Sequence, residues 1–367
     1  MLAEVARTSC HRRLRLRSWR TSFHRVSPNQ TRHAGAVTTP ISILDLAFIG
    51  VDETAADAFR TSVAIAQRAE QRGYQRIWYA EHHNMASIAS SATSVLIAHV
   101  AAHTSSIRLG SGGIMLPNHS PLAIAEQFGT LATLHPGRID LGLGRAPGSD
   151  QATMRAMRTD LRASDRFPDD IRELQGYLGA ASIVPGVVAV PGAGTNVPLY
   201  ILGSSLFGAR LAAKFGLPYA FASHFAPTHL LDAIATYRNE FQPSEQLSEP
   251  YAMAGINVIA SDSVEDAERQ RIDVSRRRIA RFVTPSRELS AAEADELLAS
   301  PQGQQIAQMM HFTAAGTPET VHRYLENFAE AVGVDELMTV HPSPTIGERL
   351  RSIDLLAAAR DATAVAI

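Results

Sequence analysis

From Ile41 onward the chain alternates between two rhythms. Short runs with apolar residues at every second position are followed by longer runs with apolar residues at every third or fourth. Ile43-Leu44-Asp45-Leu46-Ala47-Phe48-Ile49 reads as the first strand. Thr54 to Arg72 then carries Ala55, Phe59, Val63, Ala66 and Ala69 at helical spacing, with Gly73 placed to end the helix. Arg76 to Ala80 is the second strand, and Ser90 to His103 its helix. Ile107 to Gly110 is the third, followed by a helix from Pro121 to Leu134, and Ile139 to Gly144 is the fourth. Between Gln151 and Val197 the rhythm loosens into helical turns and a segment, Val187 to Gly194, that reads as a hairpin-like loop. Strands at Leu199–Leu202, Tyr219–Ala222 and Met253–Ile259 follow. Their helices are Ser205–Phe215, Pro227–Phe241 and Val264–Arg281. Phe282 to Ala315 is polar and reads as an insertion over the barrel mouth. Thr317 caps a further helix with Pro318 at its first position, Asp335–Val340 is the eighth strand, and Ile346 to Arg360 the last helix.

Strand–helix alternation with short turns argues for a parallel sheet, and eight units fit one α/β barrel with insertions after strands 4 and 7. No Gly-x-Gly-x-x-Gly opens the first unit, which counts against a doubly wound dinucleotide fold. Several strands end in polar or glycine-rich residues: Glu81-His82-His83-Asn84, Ser111-Gly112-Gly113, Arg145 to Asp150, and Gly203-Ser204-Ser205. In parallel α/β barrels, active sites gather at that end.

Composition narrows the reading. The chain has 367 residues with 45% hydrophobic content, enough for one large core. Its formal net charge of −2 offers no bulk attraction to nucleic acid or to an anionic membrane, and no apolar run is long enough to span a bilayer. The single cysteine, Cys10, excludes an internal disulfide and a cysteine-based metal site. Residues 1–39 differ from the rest: rich in arginine, with Glu4 the only acid, and without apolar periodicity. They read as a disordered or dispensable leader, with a transit peptide as the competing reading.

The candidate chemistry lies at the strand ends. Arg145 offers a forked, permanent cation that suits a phosphate. Ser204 and Ser205 open a helix whose N–H groups favour an anion. Gly112-Gly113 marks a bulge or a close approach by a ligand. His82 and His83 are adjacent at a strand end, so they point to opposite sides, which argues against both binding one metal. No metal ligands are expected.

The runs Ala80-Glu81-His82-His83-Asn84, Gly110 to His119, Gly137 to Arg145, Leu202-Gly203-Ser204-Ser205 and Gly316-Thr317-Pro318-Glu319 together resemble the luciferase-like flavin-dependent monooxygenases. The resemblance spans residues 40–367. It implies a TIM (β/α)8 barrel, reduced FMN as cofactor supplied by a separate flavin reductase, a small-molecule organic substrate, a homodimer, and a cytoplasmic location. It matches His82 to the family's catalytic histidine. Arg145, Gly203, Ser204 and Ser205 fall on the phosphate site, and Gly112 and Gly113 on the bulge that backs the flavin ring. Gly144 stands where bacterial luciferase has a reactive cysteine, so light emission does not carry over. An F420-dependent oxidoreductase and a non-catalytic flavin-binding protein stay open as alternatives.

Overall fold

The computed structural model describes residues 39–365 except 51, 147–149, 161 and 285–286. All of the expected leader but Thr39, and the Pro147-Gly148-Ser149 part of the turn after the fourth strand, lie outside the described residues; Thr39 is buried and donates to the Glu326 carboxylate. The strands are β1 (Ile41–Asp45), β2 (Arg76–Tyr79), β3 (Arg108–Met115), β4 (Ile139–Gly144), β5 (Leu199–Gly203), β6 (Tyr219–Phe221), β7 (Ala252–Ala260), β8 (Thr313–Gly316) and β9 (Glu336–Val340). β1 to β7 pair in sequence, all parallel, and β9 closes the ring between β7 and β1. The result is an eight-stranded TIM barrel. Its helices are α1 (Ala55–Gln71), α2 (Thr93–Ala101), α3 (Pro121–Leu134), α4 (Gln151–Ala156), α5 (Phe167–Leu178), α6 (Leu206–Phe215), α7 (Leu230–Glu240), α8 (Val264–Val283), α9 (Ala291–Ala299), α10 (Pro301–Gln308), α11 (Pro318–Val332) and α12 (Ile346–Val365).

Three sequence expectations change. The first strand ends at Asp45 instead of running to Ile49. Ala47 takes a left-handed φ of 48°, and the Asp45 carboxylate accepts from the Ala47 N–H at 2.9 Å, turning the chain out of the sheet. Val187 to Gly194 forms turns, not a hairpin, and contains a cis Val190–Pro191 bond. The segment after α8 holds two helices and an extra strand, β8. That strand pairs with Asn257–Ala260 of β7, past the stretch Ala252–Ala254 that pairs with short β6. β8 thus covers backbone groups of β7 that β6 is too short to reach.

Alternation sorts the strand side chains into two layers. Ile43, Ile77, Leu109, Leu141 and Ile201 pack outward among the helices. Leu44, Trp78, Tyr200, Met253 and Met338 form a second cluster, on the inward positions. At the strands' N-terminal ends the interior is polar and closed. Arg76 donates to Asp140 at 2.7 Å, to Glu336 at 2.9 Å and to the Tyr200 hydroxyl at 2.7 Å. Asp140 also accepts from Trp78 Nε1 and Arg108, and Glu336 from Ser42 and Tyr251. The opposing carboxylates hold the Arg76 pKa above its ordinary value despite burial. This paired floor reads as stability, and chemistry is left to the other end.

Candidate active site

The structure brings Arg145 and the Gly203-Ser204-Ser205 turn together. Arg145 follows β4 directly, and its guanidinium lies over the Phe207 ring at 4.2 Å. Phe207 sits in the first turn of α6, so the exposed cation is held beside that helix's N-terminus. Ser205 is the N-cap residue, yet its side chain caps no backbone N–H. The Tyr219 hydroxyl donates to the Ser205 carbonyl at 3.1 Å, and the Ala222 N–H to the Gly203 carbonyl at 2.9 Å, fixing the turn from β6. A fork of positive charge, an uncapped helix N-terminus and two serine hydroxyls in one place suit a phosphate.

Gly112 and Gly113 are joined by a cis peptide bond, and the β3–β4 register slips between Ser111 and Ile114. The expected bulge is therefore present. Protein packing alone demands both glycines. A Cβ on Gly112 would lie 2.6 Å from Leu44 Cδ1, and one on Gly113 2.7 Å from the Gly142 carbonyl.

Glu81 holds the ends of β2 and β3 together. Its carboxylate accepts from His83 Nε2 and His119 Nε2, each at 2.9 Å, and from the Met115 N–H at 2.9 Å. Burial works against the charge, but these donors prevail and hold the Glu81 pKa below its ordinary value. His83 is thereby a structural partner of Glu81.

Both histidines lie past the end of β2, which stops at Tyr79, and His82 points elsewhere. Its Nδ1 is sealed from solvent with no hydrogen-bond partner among the described residues. Burial, helped by Arg281 and His83 and opposed by Glu81, pushes its pKa below the usual histidine value. His82 is accordingly neutral near pH 7. His224, just past β6, is its counterpart. It fills the space above Gly255, where a Cβ would lie 2.3 Å from His224 Nδ1. That Nδ1 is likewise sealed and unpartnered, and burial with the charges of Arg278 and His82 lowers the pKa to about 3. Sequence reading missed His224, Arg278 and Arg281, because single residues in a turn and on a helix carry no motif. Among the described residues no group of three or more His, Cys, Asp or Glu is arranged to hold a metal ion.

Comparison with known proteins gives the family to which this barrel belongs. Residues 39–336 match the luciferase-like monooxygenase family, and the chain belongs to it. It is 58% identical over 232 residues to an Escherichia coli luciferase-like monooxygenase, covering 63% of this chain and 69% of that protein. It is 33% identical over 333 residues to the Bacillus subtilis N-acetyl-S-alkylcysteine monooxygenase, covering 86% and 96%. The crystal structure of apo-MsnO8 superposes with a TM-score of 0.80 at 33% identity, covering 88% of this chain and 98% of the other. Two structures of lower identity share the fold. One is the oxygenating constituent of 3,6-diketocamphane monooxygenase with FMN, from a Pseudomonas putida plasmid (16% identity, TM-score 0.63, covering 88% and 97%). The other is an F420-dependent secondary alcohol dehydrogenase (17% identity, TM-score 0.61, covering 89% and 100%). The protein is thus an enzyme, a luciferase-like monooxygenase.

Proposed function

We propose that the enzyme uses reduced FMN, delivered by a separate flavin reductase, to oxygenate a small organic substrate. The observation that carries this reading is Arg145 stacked on Phe207 beside the uncapped N-terminus of α6. In it, Arg145, Ser204, Ser205 and the first N–H groups of α6 hold the flavin phosphate. The Gly112–Gly113 bulge backs the ring. Bound flavin supplies the electrons and the site at which oxygen is activated. His82, just past the end of β2, holds a neutral imidazole on the mouth side of the barrel, able to hydrogen-bond reacting oxygen or hold a proton there.

Arg145→Ala should weaken FMN roughly ten- to a hundredfold and riboflavin little, since a charge-assisted contact is worth about 1.5–3 kcal/mol. Equal weakening of both in a flavin titration would remove Arg145 from the phosphate. F420 is the competing cofactor, supported by fold alone. Oxygen uptake with reduced FMN against hydride transfer from reduced F420 separates the two.

The same reading makes the protein a cytoplasmic homodimer. No helix among the described residues is long and apolar enough to cross a membrane. Support for the dimer comes from α2, where Val95 is 67% exposed and a groove of about 310 Å³ is lined by Phe59, Ala92, Val95 and His99. Small residues flank the groove: Ser91, Ala92 and Ala102 are exposed and Ala98 half-buried, whereas Ser90 and Ala101 are buried within the protomer. Light scattering at micromolar concentration should give twice the chain mass, and Val95→Asp should halve it. A monomer in the unaltered protein overturns this.

A further inference from the structure

Helix α8 leaves the C-terminal end of β7 bearing two kinds of arginine. On its outer face Arg269 pairs with Asp266 and Glu348, Arg271 with Glu268, and Arg276 with Asp295. Arg278 and Arg281 lie deeper and form no ion pair among the described residues. Arg278 Nη1 is sealed from solvent without a hydrogen-bond partner. The Arg281 guanidinium lies 5.1 Å from the centre of the Phe48 ring, which Arg349 approaches at 5.7 Å. The charges of Arg278 and Arg281 act on each other, and each acts on one of the two sealed histidines, His224 and His82. Among the described residues no acid acts on Arg278 or Arg281; Glu81 acts on His82, with its oxygens engaged by His83, His119 and the Met115 N–H, while Asp45, Glu53 and Glu348 act on Arg349.

Two neighbouring half-buried cations without a counter-charge among the described residues work against folding. With no carboxylate to offset burial, the Arg278 pKa drops to about 10 and that of Arg281 also falls. An arrangement of this kind suits a ligand that brings the missing negative charge. Its place in the fold says which ligand. Phe48 follows β1, His82 follows β2, His224 follows β6, and α8 follows β7. Arg145 and the turn before α6 follow β4 and β5, so that β6 lies between them and the β7–α8 corner. On this placement a phosphate held by Arg145 is a separate anion from the one that answers Arg278.

We propose that Arg278 and Arg281, with the free nitrogens of His82 and His224 beside them, bind the carboxylate or sulfonate head of an organic substrate. The enzyme then acts on an anionic compound rather than on a neutral hydrocarbon or aldehyde. That this anion is the substrate rests on the flavin reading above; the anion site itself does not.

The test is a binding experiment on the full-length protein. Benzoate, hexanoate and benzenesulfonate are compared with benzamide and hexanamide by thermal shift and by calorimetry. At least one acid should raise the melting temperature in a saturable way while its neutral amide does not. Arg278→Gln and Arg281→Gln should each weaken that acid tenfold or more and leave FMN and riboflavin affinity unchanged. Both variants should melt at or above the wild-type temperature without ligand, because each removes a half-buried cation that has no ion-pair partner among the described residues. Arg278→Lys, which keeps the charge, should recover part of the affinity and serves if the glutamine variant fails to fold. Absence of protection by every acid would overturn the proposal, as would unchanged affinity in both variants. Loss of FMN affinity with riboflavin spared would overturn it too, assigning the arginines to the flavin phosphate. Should wild type bind the acids but no flavin, the anion site stands and the flavin reading fails.

Discussion

His82 and His83 are adjacent in sequence and divided in environment. His83 donates to Glu81, while His82 keeps a sealed, unpartnered Nδ1 and feels the charge of Arg281. His82→Ala should keep the fold and most FMN affinity, lower turnover by roughly 10²–10⁴-fold, and release more hydrogen peroxide per oxygen consumed. His83→Ala should lower the melting temperature with peroxide release unchanged. The reverse pattern would exchange the two roles. A histidine ordinarily titrates near neutral pH, but burial holds the pKa of His82 lower. Turnover should consequently be flat between about pH 6.5 and 8 on account of this residue. A kcat inflection in that range, lost in His82→Ala, would show that the imidazole does ionise during the cycle. The sequence could present the pair and anticipate its divergence, although β2 stops at Tyr79 and the two rings are parted by the turn and by the Glu81 contact instead of by strand alternation. It could not show that Glu81 binds His83 and His119 together, a contact spanning residues 38 apart in the chain.

Among the elements, the barrel strands were legible because each is a short apolar run closed by glycine or polar residues. β8 was not. Thr313-Ala314-Ala315-Gly316 has no β-branched or aromatic alternation, and it forms because β7 outruns β6. The buried arginines were hidden for a related reason. Arg276-Arg277-Arg278 reads as a solvated helix face, and only the packing of α8 shows that Arg276 meets Asp295 while Arg278 does not meet an acid. The join between β2 and β3 yields a prediction at this scale. Glu81 accepts the Met115 N–H and two imidazoles, and an amide in its place offers one acceptor oxygen instead of two. Glu81→Gln should therefore destabilise the protein by about 1–3 kcal/mol in denaturant unfolding. Hydrogen exchange should quicken at Met115 before it quickens at the Arg76 floor. Unchanged stability would mean that the bulge holds without this tie.

At the scale of the whole molecule, the acid side of its stability is governed by buried histidines before carboxylates. His341 is 6% exposed, with Nδ1 2.8 Å from Ser352 Oγ and Nε2 3.2 Å from Thr339 Oγ1. Burial lowers its pKa to about 3, against an ordinary value near 6.5 in the unfolded chain. Above pH 6.5 the imidazole is neutral in both states and adds no pH dependence. As pH falls from about 6.5 towards 3, the unfolded chain binds a proton that the folded protein refuses. Folding then loses about 1.4 kcal/mol per pH unit from this residue. His224 acts with the same sign. Carboxylates with lowered pKa, such as Asp266 and Glu81, keep their contribution until pH drops below the ordinary carboxylate range. Between pH 6.5 and 5 the loss therefore belongs to the histidines. Urea unfolding of wild type at pH 7.5, 6.5 and 5.5 should show little change over the first step and a clear fall over the second. His341→Gln should start less stable at pH 7.5, because it disturbs the Ser352 and Thr339 contacts, yet fall less steeply from 6.5 to 5.5. The slope, not the height, is the readout. Parallel slopes in the two proteins would mean that His341 takes up its proton in the folded state, and the acid limb would have to come from other groups.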